Sequence, residues 1–129
     1  MALHNGVAAR MAAAATLRAL GGCSVTVSDA MAGADATAAG LGIGPAMQQQ
    51  WELEPVLVRW ETANDEKHRE LAVSAETLER VFKTPDTEVL RALLLRSQMK
   101  LGNETLRATE VSTEIFEGSV YLYRLRLER

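Results

Sequence analysis

The sequence predicts an α+β domain: a small, mostly antiparallel β-barrel or sandwich with an N-terminal helix and two short mid-chain helices. Three observations carry this assignment. The stretch GSVYLYRLRLER (118–129) alternates large apolar with charged residues at period two, the signature of a half-buried strand. QMKLGNETLRA (98–108) reads as a tight hairpin. Five or more such strands occur with few helices between them, which suits a small barrel or sandwich.

Size and composition agree. A chain of 129 residues makes one domain, 1–129, large enough to bury about two-thirds of its unfolded surface. It is 47% hydrophobic and 24% charged, as ordinary globular proteins are. The domain divides into an N-terminal helix (1–22), a long flexible loop (29–50) and a β-rich body (51–129).

Leu3 to Leu20 reads as an alanine-rich helix ended by Gly21-Gly22, because glycine takes the left-handed conformation without strain. Ala8, Ala9, Ala12, Ala15, Thr16 and Ala19 fall on one arc. Leu3, Val7, Arg10, Met11, Leu17 and Arg18 fall on the other. Neither arc is a clean core stripe. Two readings stay open: a helix on a sheet with arginine stems covering apolar surface, or a helix packed partly against another subunit. MAAAATLRALGGC also has the outline of a lipoprotein signal, but Arg18 interrupts the apolar run such a signal needs.

Ser24–Ser28 is a short strand. The next stretch holds four of the nine glycines and little charge, and is expected to order only against a partner. Its GLGIG lacks the lysine and hydroxyl residue of a phosphate loop. WELEPVLVRW (51–60) is a strand in which Pro55, having no N–H, belongs at an edge, bulge or bend. ETANDEKHRE (61–70) reads as a charged turn and ELAV as a strand. SAETLERVF (74–82) is a helix capped by Ser74, with Ala75, Leu78, Val81 and Phe82 on its apolar face. In KTPDTEVLRALLLRS, Thr84 or Asp86 caps, Pro85 suits the first turn, and Val89, Leu90, Leu93 and Leu94 form the buried side.

In the hairpin, Gly102-Asn103 is a two-residue loop with glycine first, favouring a type II′ turn. It pairs Leu101 with Glu104, Lys100 with Thr105, Met99 with Leu106 and Gln98 with Arg107, which segregates apolar from polar pairs. TEIFEGS (113–119) turns the chain. The terminal strand then points Tyr121, Tyr123, Leu125 and Leu127 inward and Leu122, Arg124, Arg126 and Glu128 outward.

Chemistry is sparse. His4 and His68 stand in no metal-ligand spacing. The single cysteine, Cys23, forms no internal disulfide and has no histidine beside it in sequence. Acids such as Glu61, Asp65 and Glu66 lie in a solvated run, and Glu76 and Glu79 on a helix face. The expectation is therefore no enzyme, with no catalytic, metal or cofactor-binding residue. A net charge of −3 exerts no broad pull on nucleic acid. No segment approaches the roughly 18 apolar residues of a membrane span.

From about residue 50 onward the chain resembles the small head–tail joining (head-completion) proteins of long-tailed bacteriophages. EPVLVRW, ELAVSAETLERVF and above all KLGNETLRATEVSTEIFEGSVYLYRLRLE carry the resemblance. It implies a small β-barrel or sandwich without catalysis, present as a homo-oligomeric ring in the virion neck and in the host cytoplasm before assembly. Its implied partners are copies of itself, the portal or adaptor, and tail proteins, with passing contact to DNA phosphates and none to a membrane. The alanine-rich helix raises a rival, a tail terminator ringing the tube end. Another self-assembling adaptor, or a small ligand-binding barrel, stays open as well. Arg10, Arg18, Arg124 and Arg126 are the candidate subunit-interface or lumen residues.

Overall fold

A computed structural model describes residues 5–29, 49–63 and 66–129. Six strands and three helices follow in order: α1 (Asn5–Ala19), β1 (Cys23–Asp29), β2 (Gln49–Ala63), β3 (Glu66–Ser74), α2 (Ala75–Phe82), α3 (Thr87–Arg96), β4 (Gln98–Leu101), β5 (Glu104–Phe116) and β6 (Ser119–Glu128). The strands close into an antiparallel barrel of order β1-β2-β3-β6-β5-β4. The mixed α+β class and the barrel alternative are therefore both realised. Closure depends on four-residue β4, which pairs with β1 through Thr26–Lys100, Val27–Met99 and Ser28–Gln98.

The hairpin register is the one the period demands: Leu101 faces Glu104, Lys100 Thr105, Met99 Leu106 and Gln98 Arg107. Gly102 adopts φ 58°, a value the first position of such a turn requires and glycine supplies without strain. Ser74 caps α2, its Oγ accepting from Thr77 N at 3.1 Å. Asp86 caps α3, accepting from Glu88 N and Val89 N. Pro85 thus stands before the helix rather than in its first turn. Pro55 sits where the β1–β2 register shifts, a position that tolerates a missing donor.

Several boundaries differ from the sequence expectation. The loop placed at 29–50 falls mostly on residues 30–48, outside the described residues, but β2 already begins at Gln49. ETANDEKHRE is mostly strand: β2 runs on to Ala63 and β3 starts at Glu66. The ladder continues through Glu61–His68, Thr62–Lys67 and Ala63–Glu66. Arg59 faces Glu70 across the ladder at 2.9 Å, and opposed charges stabilise an antiparallel pair. TEIFEGS turns only at Glu117-Gly118, both at positive φ, between two strands.

The barrel interior is filled. Leu53, Val56, Leu71, Val73, Met99 and Leu125 are each fully buried, with Tyr123 and Leu127 at 1% exposure. β3 and β4 lie diametrically opposite in the closed sheet, so α2 and α3, which connect them, must pass over one mouth. Leu78, Leu90 and Leu94 plug it. Trp51 meets the Phe82 ring edge-on at 4.9 Å. Val89, expected on the buried side of α3, is 47% exposed, because Leu90 and Leu94 alone point at the core.

Candidate functional site

The helix α1 lies against the outer face of the sheet, not inside it. It ends in a Schellman motif, with Gly22 N donating to Leu17 O at 3.0 Å, Gly21 N donating to Arg18 O at 3.2 Å, and Gly21 at φ 91°. It packs along a line between the two arcs: Ala13 and Leu17 are buried and Ala9 is half-buried, while Met11 and Arg18 of the mixed arc are exposed. Arg10 donates to Val120 O at 2.7 Å and forms an ion pair with Glu79 on α2. Arg10 is thus bound to the barrel and to α2 through its guanidinium. Ala8, Ala12, Ala15, Thr16 and Ala19 stay exposed.

So narrow a contact leaves a gap. Between α1 and strands β2, β3 and β6 runs a half-open groove of about 530 Å³. Leu57, Ala72 and Leu122 form its floor, and Ala9, Ala12 and Thr16 its low helical wall. Leu20, 62% exposed, and Phe116, 46% exposed, stand at its lips. A charged triad enters from the strands: Glu70 receives Arg59 at 2.9 Å and Arg124 at 3.5 Å.

Tyr121 belongs to this groove, which corrects its inward assignment. Glu114 faces Leu122 while Ile115 faces Val120, leaving Tyr121 the extra residue of a bulge and out of phase. A second irregularity at Ala108/Glu110 leaves Thr109 unmatched in the same ladder.

The four candidate arginines have different fates. Arg124 is on the groove rim, 3.2 Å from Glu114 as well as bonded to Glu70. Arg126 is two residues further along the same outer face, 3.9 Å from Glu110. Arg10 is tied to Glu79 and does not line the groove. Arg18 is exposed in the last turn of α1, where a cation favours the helix dipole. These positions do not form one cluster. The groove's apolar lips carry no mark in the sequence: Leu20 reads as the end of an alanine-rich helix, just past the observed end of α1 at Ala19, and Phe116 as part of a turn.

The opposite barrel mouth holds a second cavity of about 580 Å³. There Arg69 stacks 4.4 Å over Trp60 and reaches Glu104 at 2.6 Å. Arg129 also lies 3.9 Å from Glu104, so this carboxylate is shared by two arginines. His68, expected in a charged turn, is instead a buried residue of β3 at this mouth. Cys23 is exposed at the start of β1. Among the described residues, no three His, Cys, Asp or Glu side chains are grouped to hold a metal ion, and no helix is long and apolar enough to cross a membrane.

No family model, curated protein or solved structure matches this chain.

Proposed function

We propose that this chain is a non-enzymatic virion assembly protein of a long-tailed bacteriophage, joining head to tail as one copy in a neck ring. The observation that carries this reading is the half-open apolar groove on a barrel whose interior is full. Recognition must then happen on the outside. Exposed Leu20, Ile115 and Phe116 beside the groove mark a surface suited to a protein partner. Arg124 and Arg126 already have carboxylate neighbours, so a DNA phosphate would have to displace them. This favours subunit contact over DNA contact. The neck position itself rests on the sequence resemblance.

A second reading draws on the groove's size. Its volume and apolar lining lie within the range of small-molecule pockets, which keeps a ligand-binding barrel in play.

Light scattering across a concentration series, with negative-stain electron microscopy, tests the first reading. A closed ring is expected, and immunolabelling of tailed particles at the neck places it. A strict monomer that retains an apolar small molecule in native mass spectrometry overturns the assembly reading in favour of the second.

A further inference from the structure

We propose that two open strand edges of the barrel pair with each other between copies of this chain: the free edge of β5 in one copy takes the free edge of β2 in the next. The proposal rests on the assembly reading and names the surfaces it uses.

The barrel closes with overhangs. β5 pairs with β4 only over residues 104–107, so among the described residues 108–116 have β6 on one side and no strand on the other. β2 meets β1 only as far as Val56, opposite Cys23, so residues 57–63 are bonded to β3 alone. α3 packs by β5 without a backbone bond to it, and no other backbone–backbone hydrogen bond among the described residues reaches either stretch. A row of unpaired N–H and C=O groups is a template for another strand. The β5 row ends on exposed Ile115 and Phe116, the β2 row carries exposed Trp60.

The alternation of the ladders determines which groups are free. Phe116 and Ser119 flank the two-residue Glu117-Gly118 turn and exchange both backbone bonds. Counted back along β5, Val111, Thr113 and Ile115 turn their N–H and C=O away from β6. Carried through β6 and β3, the same alternation turns Val58, Trp60 and Thr62 away from β3. One antiparallel register sets Ile115 opposite Val58, Thr113 opposite Trp60 and Val111 opposite Thr62. It keeps side-chain parity, since Val58 and Val111 both pack against the core while Leu57 and Phe116 both line the outer groove. Registers shifted by two residues oppose Glu61 to Glu110 or to Glu114, and like charges across a ladder are destabilising.

Topology selects the occupant. β1 and β4 stand between β2 and β5, so the two edges do not meet within one chain. The β5 overhang runs past the start of β4, at the mouth plugged by α2 and α3. The β2 overhang runs past the start of β1, toward the mouth lined by Trp60. The free edge of β5 is on its β4 side and that of β2 on its β1 side. Two copies in one orientation therefore present these edges antiparallel, with outer face continuing outer face. This contact satisfies both edges, whereas β5 paired with itself leaves β2 open. It is heterologous, so it adds copies head to tail and closes as a ring or extends as a filament.

Edge variants and cross-linking test this. Thr113→Pro removes a donor from the free edge and spares the β6 ladder, a place where strands tolerate proline. It is expected to stay folded by circular dichroism and monomeric by light scattering at concentrations where the unaltered chain assembles. Ile115→Lys serves if the proline variant fails to fold. In a Cys23→Ser background, Arg59→Cys and Glu114→Cys fall opposite each other at a non-hydrogen-bonded pair, where Cα atoms about 4.5 Å apart suit a disulfide. Each alone is expected to stay uncross-linked on mild oxidation, and their mixture to give a linked dimer. A linked dimer of Thr113→Cys alone, in the same background, marks a two-fold β5 pair and overturns the pairing with β2. Edge variants that assemble like the unaltered chain, or a mixture that stays uncross-linked, overturn it too and leave the assembly reading standing. An unaltered chain that is monomeric at every concentration overturns both.

Discussion

The two faces of β6 carry the same alternating pattern to opposite ends. Inward, Tyr123, Leu125 and Leu127 are at most 1% exposed and packed on every side. Outward, Leu122, Arg124 and Arg126 are only half-buried, beneath a helix that covers part of the face and leaves a groove. The inner face is saturated, so it confers stability and has nothing left to recognise. The outer face is incomplete, so it contributes less to folding and keeps surface for contact. A single strand thus separates the two roles by side-chain parity.

The strongest way to break the comparison is to remove the strand. Deleting Tyr121–Arg129 takes away three buried side chains, each worth about 1.5–3 kcal/mol. Together they rival the stability of a whole domain, about 5–15 kcal/mol. The truncated chain is expected to be unfolded or insoluble by circular dichroism. A soluble, cooperatively melting product would contradict the closing role of β6.

Point changes on either side of the sheet sharpen it. Leu71→Ala opens a cavity in the filled interior and is expected to cost about 2–5 kcal/mol. Leu57→Ala, on the half-buried groove floor, is expected to cost about 1 kcal/mol, a typical value for a partly exposed site. Urea denaturation of the two variants compares them directly, and equal losses would remove the distinction between faces.

Next comes the junction that holds α1 to the barrel. A Cβ added at Gly22 would lie 2.9 Å from both Leu17 O and Pro55 Cβ. One of those atoms is backbone and cannot swing aside. Gly22→Ala is therefore expected to cost about 1–3 kcal/mol, as overpacking does. The loss should be local: amide exchange should quicken in α1 while barrel amides keep their protection.

The smallest effect belongs to the outer charges. Arg124→Ser with Arg126→Ser removes ion pairs whose arginines are about 40% exposed. Exposed pairs contribute about 0–1 kcal/mol, so thermal melting should barely move. Ring formation is expected to weaken, because Arg124 is on the groove rim. Unchanged assembly would leave these two arginines as structural partners of Glu110 and Glu114.

The sequence by itself determined what depends on near neighbours. The Gly102-Asn103 loop sets its own register, because a two-residue turn and a one-sided apolar pattern leave no other pairing. Ser74 and Asp86 cap their helices because the amides they satisfy lie within three residues. Tyr123, Leu125 and Leu127 point inward by parity alone.

Only the tertiary structure decided what depends on distant partners. The run ETANDEKHRE is mostly strand because β2 and β3 keep pairing through Glu61–His68, Thr62–Lys67 and Ala63–Glu66, and composition cannot reveal that cross-strand pairing. Tyr121 leaves the inner face because Glu114 and Ile115 on β5 force a bulge. α1 has two weakly distinguished arcs, so its own residues could not choose a face. The choice fell to Glu79 and the Val120 carbonyl, which hold Arg10 from 69 and 110 residues away. The groove exists because that choice seats Ala13 and Leu17 against the sheet and leaves Ala12 and Thr16 standing off it.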